Sequence, residues 1–241
     1  MKIEIADAYL PYKAFIETIP QRMVRGEGDV LYQERNEVRR MEHDGQVFIV
    51  KRFKRVNIVQ QVVYTFFRPT KAARAFRFAA EFRKRGIVTP HEMAYIEQKE
   101  HGLFTTGYFI SEEVTGQESH LALREVKEYD PRLADAVAQQ VVFMHSKGVL
   151  HGDLNLSNFL YEQQADGSFS FTMIDVNRSH FTDGWPTDEQ CLHNMVRMTH
   201  RRDLYEDLVR RYAQKRGWDI DATAKNALRL LDQFENRKLK W

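Results

Sequence analysis

Hydrophobic and polar positions give the two halves of the chain different rhythms. In the first half, short apolar runs of strand character occupy 47–50, just ahead of Lys51, then 93–96, then Tyr108, Phe109 and Ile110 beyond a turn at Gly102. Between the first two runs the period lengthens. Val59, Val62, Val63 and Phe66 recur at helical spacing over 56–67, and Thr70 is placed to cap a second helix from Lys71 to about Arg85, closed by Gly86 and Pro90. In the second half, Asp130 as N-cap and Pro131 at the first helical position open a helix that ends near Gly148. Its Leu133, Ala134, Val137, Ala138, Val141, Val142 and Met144 predict a buried scaffold. A polar loop follows, then a strand at 159–161, an Asp166-Gly167 turn and the alternating Phe169, Phe171 and Met173, which together read as a hairpin. Thr187, Asp203 or a residue nearby, and either Asp219 or Asp221 then cap three helices, the first reaching Met198, the second Tyr212, the last burying Leu228, Leu231 and Phe234. The expected fold class is α+β: a small β-rich lobe over 1–113 and a helical lobe over 114–241, meeting near 112–116.

Composition narrows the classes. The 241 residues, 43% hydrophobic, suffice for one or two packed lobes. With 36 Lys and Arg against 34 Asp and Glu, the net charge of +2 excludes a strongly basic nucleic-acid binder, so no nucleic-acid partner is expected. The single Cys191 forms no internal disulfide and offers no zinc spacing, which suits a reducing compartment. No apolar run is long enough to span a bilayer, and acidic residues interrupt the N-terminus where a secretory signal needs an apolar core, so a place in the cytoplasm or peripheral to a membrane is expected.

Charge is uneven along the chain. Residues 51–85 hold eleven Lys and Arg against one Glu, while the remainder holds 25 basic and 33 acidic residues. A basic segment beside the stripe of Val59, Val62, Val63 and Phe66 suits an interfacial helix on anionic headgroups. The same stripe suits packing on the sheet under a solvated charged face equally well.

The strongest chemical signal is His151-Gly152-Asp153-Leu154-Asn155-Leu156-Ser157-Asn158, placed between a long helix and a strand. In a kinase catalytic loop this spacing lets the aspartate receive the acceptor hydroxyl proton while the asparagine, five residues on, turns back to a metal. Asp153 and Asn158 take those roles. Metal-bound nucleotide needs a further carboxylate, and Asp175 in Met173-Ile-Asp-Val-Asn-Arg178 closes the hairpin at the right separation. Lys51 shares its strand face with Val47 and Ile49, where a lysine needs a phosphate or carboxylate partner. Each alone has a plainer reading: Lys51 as a solvated edge lysine of a basic run, His151 and Asp153 as a capped turn, Asp175 as a strand-end turn residue. The three in this order and these contexts predict a bilobal protein-kinase-like fold in which they converge on one triphosphate and its magnesium. Asn177 and Arg178, next to Asp175, either hold acidic groups of an acceptor or pair with a structural carboxylate. His145, His193 and His200, on predicted helices without a spaced carboxylate, read as surface or core histidines, and Trp185 and Trp218 as packing residues.

With these residues in place the chain resembles the lipopolysaccharide-core kinase family, the Kdo kinase-like branch of the protein-kinase-like fold, over roughly residues 15 to 180. The matching strings are Tyr32-Gln-Glu-Arg-Asn36, Val50-Lys-Arg-Phe53, Tyr64-Thr-Phe-Phe-Arg-Pro-Thr-Lys-Ala72, Gly86-Ile-Val-Thr-Pro90 with Tyr95-Ile-Glu97, His151 to Leu160, and Ile174-Asp-Val-Asn-Arg178. The resemblance implies ATP-dependent phosphorylation, with Mg2+, of a sugar hydroxyl on the Kdo or inner-core part of a lipid A-linked saccharide, at the cytoplasmic face of the inner membrane. Lys51 would contact the α and β phosphates, and Glu112 to Val114 would form the hinge that reads adenine. Two departures stand out. Gly26-Glu27-Gly28-Asp29, the candidate phosphate-covering loop, continues to Arg35 without a third glycine, and Glu81 is the only acidic residue of the 71–85 helix that can pair with Lys51. Alternatives are a RIO-like protein kinase, a kinase of soluble small molecules, or a pseudokinase binding module if Glu81 does not reach Lys51.

Overall fold

In the computed structural model, which describes residues 1–34 and 36–238, the first part of the chain forms a six-stranded antiparallel sheet. Its strands are β1 (Lys2–Ile5), β2 (Asp29–Gln33), β3 (Glu37–His43), β4 (Gln46–Arg52), β5 (Glu92–Glu100) and β6 (Leu103–Ser111), in spatial order β1-β5-β6-β4-β3-β2. Helix α1 (Lys13–Arg25) precedes β2, and α2 (Ile58–Phe66) and α3 (Lys71–Lys84) lie between β4 and β5. Strand alternation assigns the faces. Phe48, Val50, Ala94, Ile96, Tyr108 and Ile110 cluster with Phe15, Ile16, Ile19 and Met23 of α1. Tyr95 and Phe53 cluster with Ala72, Ala73, Ala75 and Phe76 of α3, and Phe109 packs against them. Lys51 pairs in register with Phe109, itself opposite Tyr95, so Lys51 lies on the face that α3 covers. Thr70 caps α3 as its position predicts, its Oγ1 accepting the Ala73 N–H at 3.1 Å.

The sequence pattern misses β1 to β3 and α1. Strand β3 is obscured because Glu37 and Arg39 are buried in it. Their charges are satisfied internally: the Arg39 guanidinium donates to the Glu37 carboxylate at 2.5 Å and to the carbonyls of Gly26 and Gly28 at 2.7 and 3.0 Å. Those glycines also correct the expected loop. Gly26, at φ +75, ends α1 as a left-handed C-cap, and at Gly28, φ +82, an added Cβ would lie 2.5 Å from the Arg40 carbonyl oxygen. They close a helix and let the chain pass β3. The hairpin connection that follows is the one from β2, ending at Gln33, to β3, starting at Glu37, and Arg35 lies outside the described residues.

The second part contains β7 (Gln117–Glu118), α4 (Ser119–Leu123), α5 (Pro131–Ser146), β8 (Val149–Leu150), β9 (Phe159–Gln163), β10 (Phe169–Met173), β11 (His180–Phe181), α6 (Asp188–Met195), α7 (Arg202–Arg216) and α8 (Ile220–Lys238). Helix α5 begins where Asp130 accepts the Arg132 N–H at 2.8 Å. It buries Leu133, Val137, Val141 and Met144 against α7, whose Leu204, Leu208 and Val209 are buried in turn. Each such side chain contributes roughly 2 kcal/mol by leaving water. The hairpin forms with Phe159 opposite Met173. Thr187 and Gln190 build a capping box on α6, which ends at Met195, short of the expected Met198.

The chain divides into two compact units, the first comprising Met1–Lys84 and Thr89–Val114, the second Arg85–Val88 and the chain from Thr115 onward. The short segment leaves the lobe that a 1–113 division gives it because its bonds lie elsewhere. The Arg85 guanidinium donates to the carbonyls of Lys147, Gly148 and Thr182 at 2.7, 3.3 and 2.9 Å, and the Val88 carbonyl accepts the Met173 N–H at 2.8 Å. Among the described residues no helix is long and apolar enough to cross a membrane.

Candidate active site

In the second unit, the segment from His151 to Asn158 is held against residues 174–178 by a set of short bonds. His151 is fully buried, its Nε2 2.9 Å from the Ile174 carbonyl and its Nδ1 3.2 Å from the Asp153 N–H. A carbonyl only accepts and an N–H only donates, so the ring is the neutral Nε2–H tautomer. Burial favours the same state by lowering its pKa. Gly152 has no room for a side chain, since an added Cβ would stand 1.9 Å from the Arg178 carbonyl oxygen. The Asn158 Nδ2 donates to the Asp153 carbonyl at 2.8 Å, which fixes the amide and turns its Oδ1 to the other side. The Asn158 carbonyl accepts the Ile174 N–H at 3.0 Å.

Asp175 follows directly, at φ +56 and ψ +44. Left-handed backbone at a non-glycine residue costs about 1 kcal/mol or more and persists where surrounding contacts impose it, often at functional sites. Its Oδ1 accepts from Asn177 Nδ2 at 2.5 Å. Arg178 then reaches back to Asp153, Nη1 to Oδ2 at 3.5 Å, while its side chain stays 57% exposed. The predicted Asp153, Asn158 and Asp175 thus lie on two adjoining segments of one unit, and of the two readings of Arg178 the carboxylate it meets is the candidate catalytic one.

Support for the loop comes from residues with no signal in the sequence. Asn194 of α6 donates to the His151 carbonyl at 2.7 Å, and its Oδ1 lies 3.1 Å from His145 Nε2. An amide oxygen only accepts, so His145 carries its proton on Nε2 and takes the Tyr212 hydroxyl on Nδ1 at 2.9 Å. Arg216 donates to that hydroxyl at 2.7 Å, its guanidinium 4.0 Å from the Trp185 ring centroid and 4.3 Å from that of Trp218. Burial pushes the His145 pKa down to about 4. His145 is therefore a core histidine that positions the loop through Asn194, and the two tryptophans pack as expected.

In the first unit, Lys51 is half-buried on β4 with Nζ 5.6 Å from the Phe53 ring centroid. Glu81 is half-buried on α3. The Glu112 N–H donates to the His91 carbonyl at 2.9 Å, and its carboxylate accepts the Tyr9 hydroxyl at 2.5 Å. Burial, then this bond, raise the Tyr9 pKa. Val114 is the last residue of that unit.

Asn158 and Asp175 offer oxygen donors, the chemistry of a hard divalent cation that leaves much of its shell to phosphates and water. Among the described residues no three His, Cys, Asp or Glu side chains gather as a self-sufficient metal site. The two donors fit a cation of this kind.

Comparison with known proteins adds three findings. A 3-deoxy-D-manno-octulosonic acid kinase from Vibrio vulnificus (strain YJ016) is 24% identical over 118 residues, 48% of this chain and 48% of that protein. The match thus spans about half the length of the curated relative. A solved structure, WaaP in complex with acyl carrier protein, superposes with a TM-score of 0.62 at 19% identity, covering 100% of this chain and 99% of that one, so the fold is the protein-kinase-like one. The model of the lipopolysaccharide kinase (Kdo/WaaP) family matches residues 21–237, and the chain belongs to that family.

Proposed function

We propose that this chain transfers the γ-phosphoryl group of ATP to a sugar hydroxyl of a lipid A-linked inner-core saccharide, at the cytoplasmic face of the inner membrane. The observation that carries the reading is the stitching of His151–Asn158 to the left-handed Asp175, in a member of a lipopolysaccharide kinase family. Asp153 orients the acceptor hydroxyl and receives its proton as the oxygen attacks phosphorus in line. Asn158 and Asp175 would hold magnesium, which when bound neutralises charge on the phosphate oxygens. Lys51 contacts the α and β phosphates and pairs with Glu81, a pairing supported by the packing of α3 over the face of the sheet that carries Lys51. The β2–β3 hairpin covers the phosphates in place of a glycine-rich loop. Of the hinge, the Glu112 N–H is already given to His91, so the Glu112 carbonyl and the Val114 N–H are the groups offered to adenine. Arg178, exposed beside Asp153, takes the carboxylate of the acidic acceptor sugar.

The test is incubation with γ-labelled ATP, Mg2+ and Kdo-lipid A. The expected result is label in the glycolipid, reduced about 10³-fold by Asp153→Ala while Mg·ATP still raises the Tm of the variant. Label appearing in protein alone, or in soluble sugars alone, overturns the reading.

A further inference from the structure

Helix α2 is mounted with its apolar side outward. Its inward face is Tyr64 and Thr65, lying on β6: Thr65 Oγ1 accepts the Phe104 N–H at 2.9 Å, and the Tyr64 ring meets the Phe104 ring edge-on at 5.7 Å. Across the helix from Tyr64, with Thr65 at the margin, Ile58, Val59, Val62 and Phe66 fall within an arc of about 100°. Ile58, Val59, Phe66 and the following Phe67 are between 63% and 76% exposed, and α2 fully buries none of its residues. The stripe therefore does not serve the sheet. A contiguous apolar surface of this kind marks a partner rather than a solvated face.

The surrounding charge selects the partner. Residues 51–85 carry eleven Lys and Arg against one Glu, and Lys54, Arg68, Arg77 and Lys84 are exposed within that span. A second copy docking through the same stripe would bring like charges together, whereas anionic headgroups meet them with opposite charge. We infer that α2 seats the chain on an anionic bilayer surface, with Ile58, Val59, Phe66 and Phe67 entering the boundary between headgroups and acyl chains. This deepens the proposed function, on which it rests for its purpose: a lipid-linked acceptor presents its sugar at that surface.

The experiment is flotation of the full chain with vesicles of phosphatidylglycerol and phosphatidylethanolamine, against vesicles of phosphatidylcholine alone, at low and high salt. The chain is expected to float with the anionic vesicles, less at high salt, and the double substitution Val59→Asp with Phe66→Asp is expected to lower the bound fraction about tenfold. The variant should keep its thermal stabilisation by Mg·ATP. Wild-type chain that stays with the buffer, or a variant that floats unchanged, overturns the inference. A dimer in sedimentation equilibrium that the same substitutions dissociate also overturns it, by assigning the face to a second copy. Label transfer to detergent-dispersed Kdo-lipid A is scored separately: transfer without flotation removes the seating helix alone, and flotation without transfer removes the catalytic reading alone.

Discussion

Helices α2 and α5 carry apolar stripes of the same period and meet opposite fates. In α5 the stripe of Leu133, Val137, Val141 and Met144 is buried, and the helix delivers His145 into the chain of bonds that ends on the His151 carbonyl. In α2 the comparable stripe faces water, and it is the polar and aromatic side that docks. Amphipathic spacing says that a helix has two faces, and the bonding partners of the other face decide which is inside.

Substitution should separate the two helices sharply. The largest effect is expected from Val137→Asp, which buries an unpaired charge in α5: about 4 kcal/mol or more of stability is lost, seen as a collapsed thermal transition together with lost turnover. Next comes Gly152→Ala, in the loop that α5 supports through His145 and Asn194. Collision of the new methyl with the Arg178 carbonyl should cost about 3 kcal/mol in urea denaturation and lower kcat. An unchanged kcat would show that the approach of the two segments is not needed for turnover.

The pH dependence is the third effect. His145 is neutral when folded, with its pKa pushed to about 4 from 6.5, so the unfolded chain binds a proton that the folded chain refuses. Stability is full above pH 6.5 and falls as the pH drops toward 4, by about 2 kcal/mol at pH 5 from this group. His151, shifted in the same direction, adds to the loss. Urea midpoints at pH 7 and pH 5 measure it, and His145→Gln should flatten the difference. The smallest effect is expected in α2, where Val59→Asp changes folding stability by no more than about 0.5 kcal/mol in the same assay. A larger loss would mean that the exposed stripe holds the fold after all.

What could be read in advance follows from where the chemistry is local. Asp130, Thr70 and Thr187 announce their helices because a cap is a contact within three residues, and the three caps form as read. Asp153 and Asn158 stand out because their spacing is itself the motif, and Asp175 because it closes the hairpin that follows. Asn194 and Tyr212 do not, because their partners lie 43 and 67 residues away and no local pattern encodes a long-range bond. Strand β3 was hidden by Arg39, a charge at a core position whose acceptors are carbonyls brought in by the end of α1.

The anchoring of Arg85 on three carbonyls sets how the molecule can be cut. Backbone passes from one unit to the other after Lys84, after Val88 and after Val114, so severing a single link leaves two covalent tethers in place. A fragment ending at Val114 would carry an arginine whose acceptors at Lys147, Gly148 and Thr182 it lacks, and the complementary fragment would have lost the Val88 carbonyl that takes the Met173 N–H. A cut at Val114 keeps the first unit whole and takes residues 85–88 from the second. Reassembly from two separately produced chains requires that residues 85–88 travel with the C-terminal one.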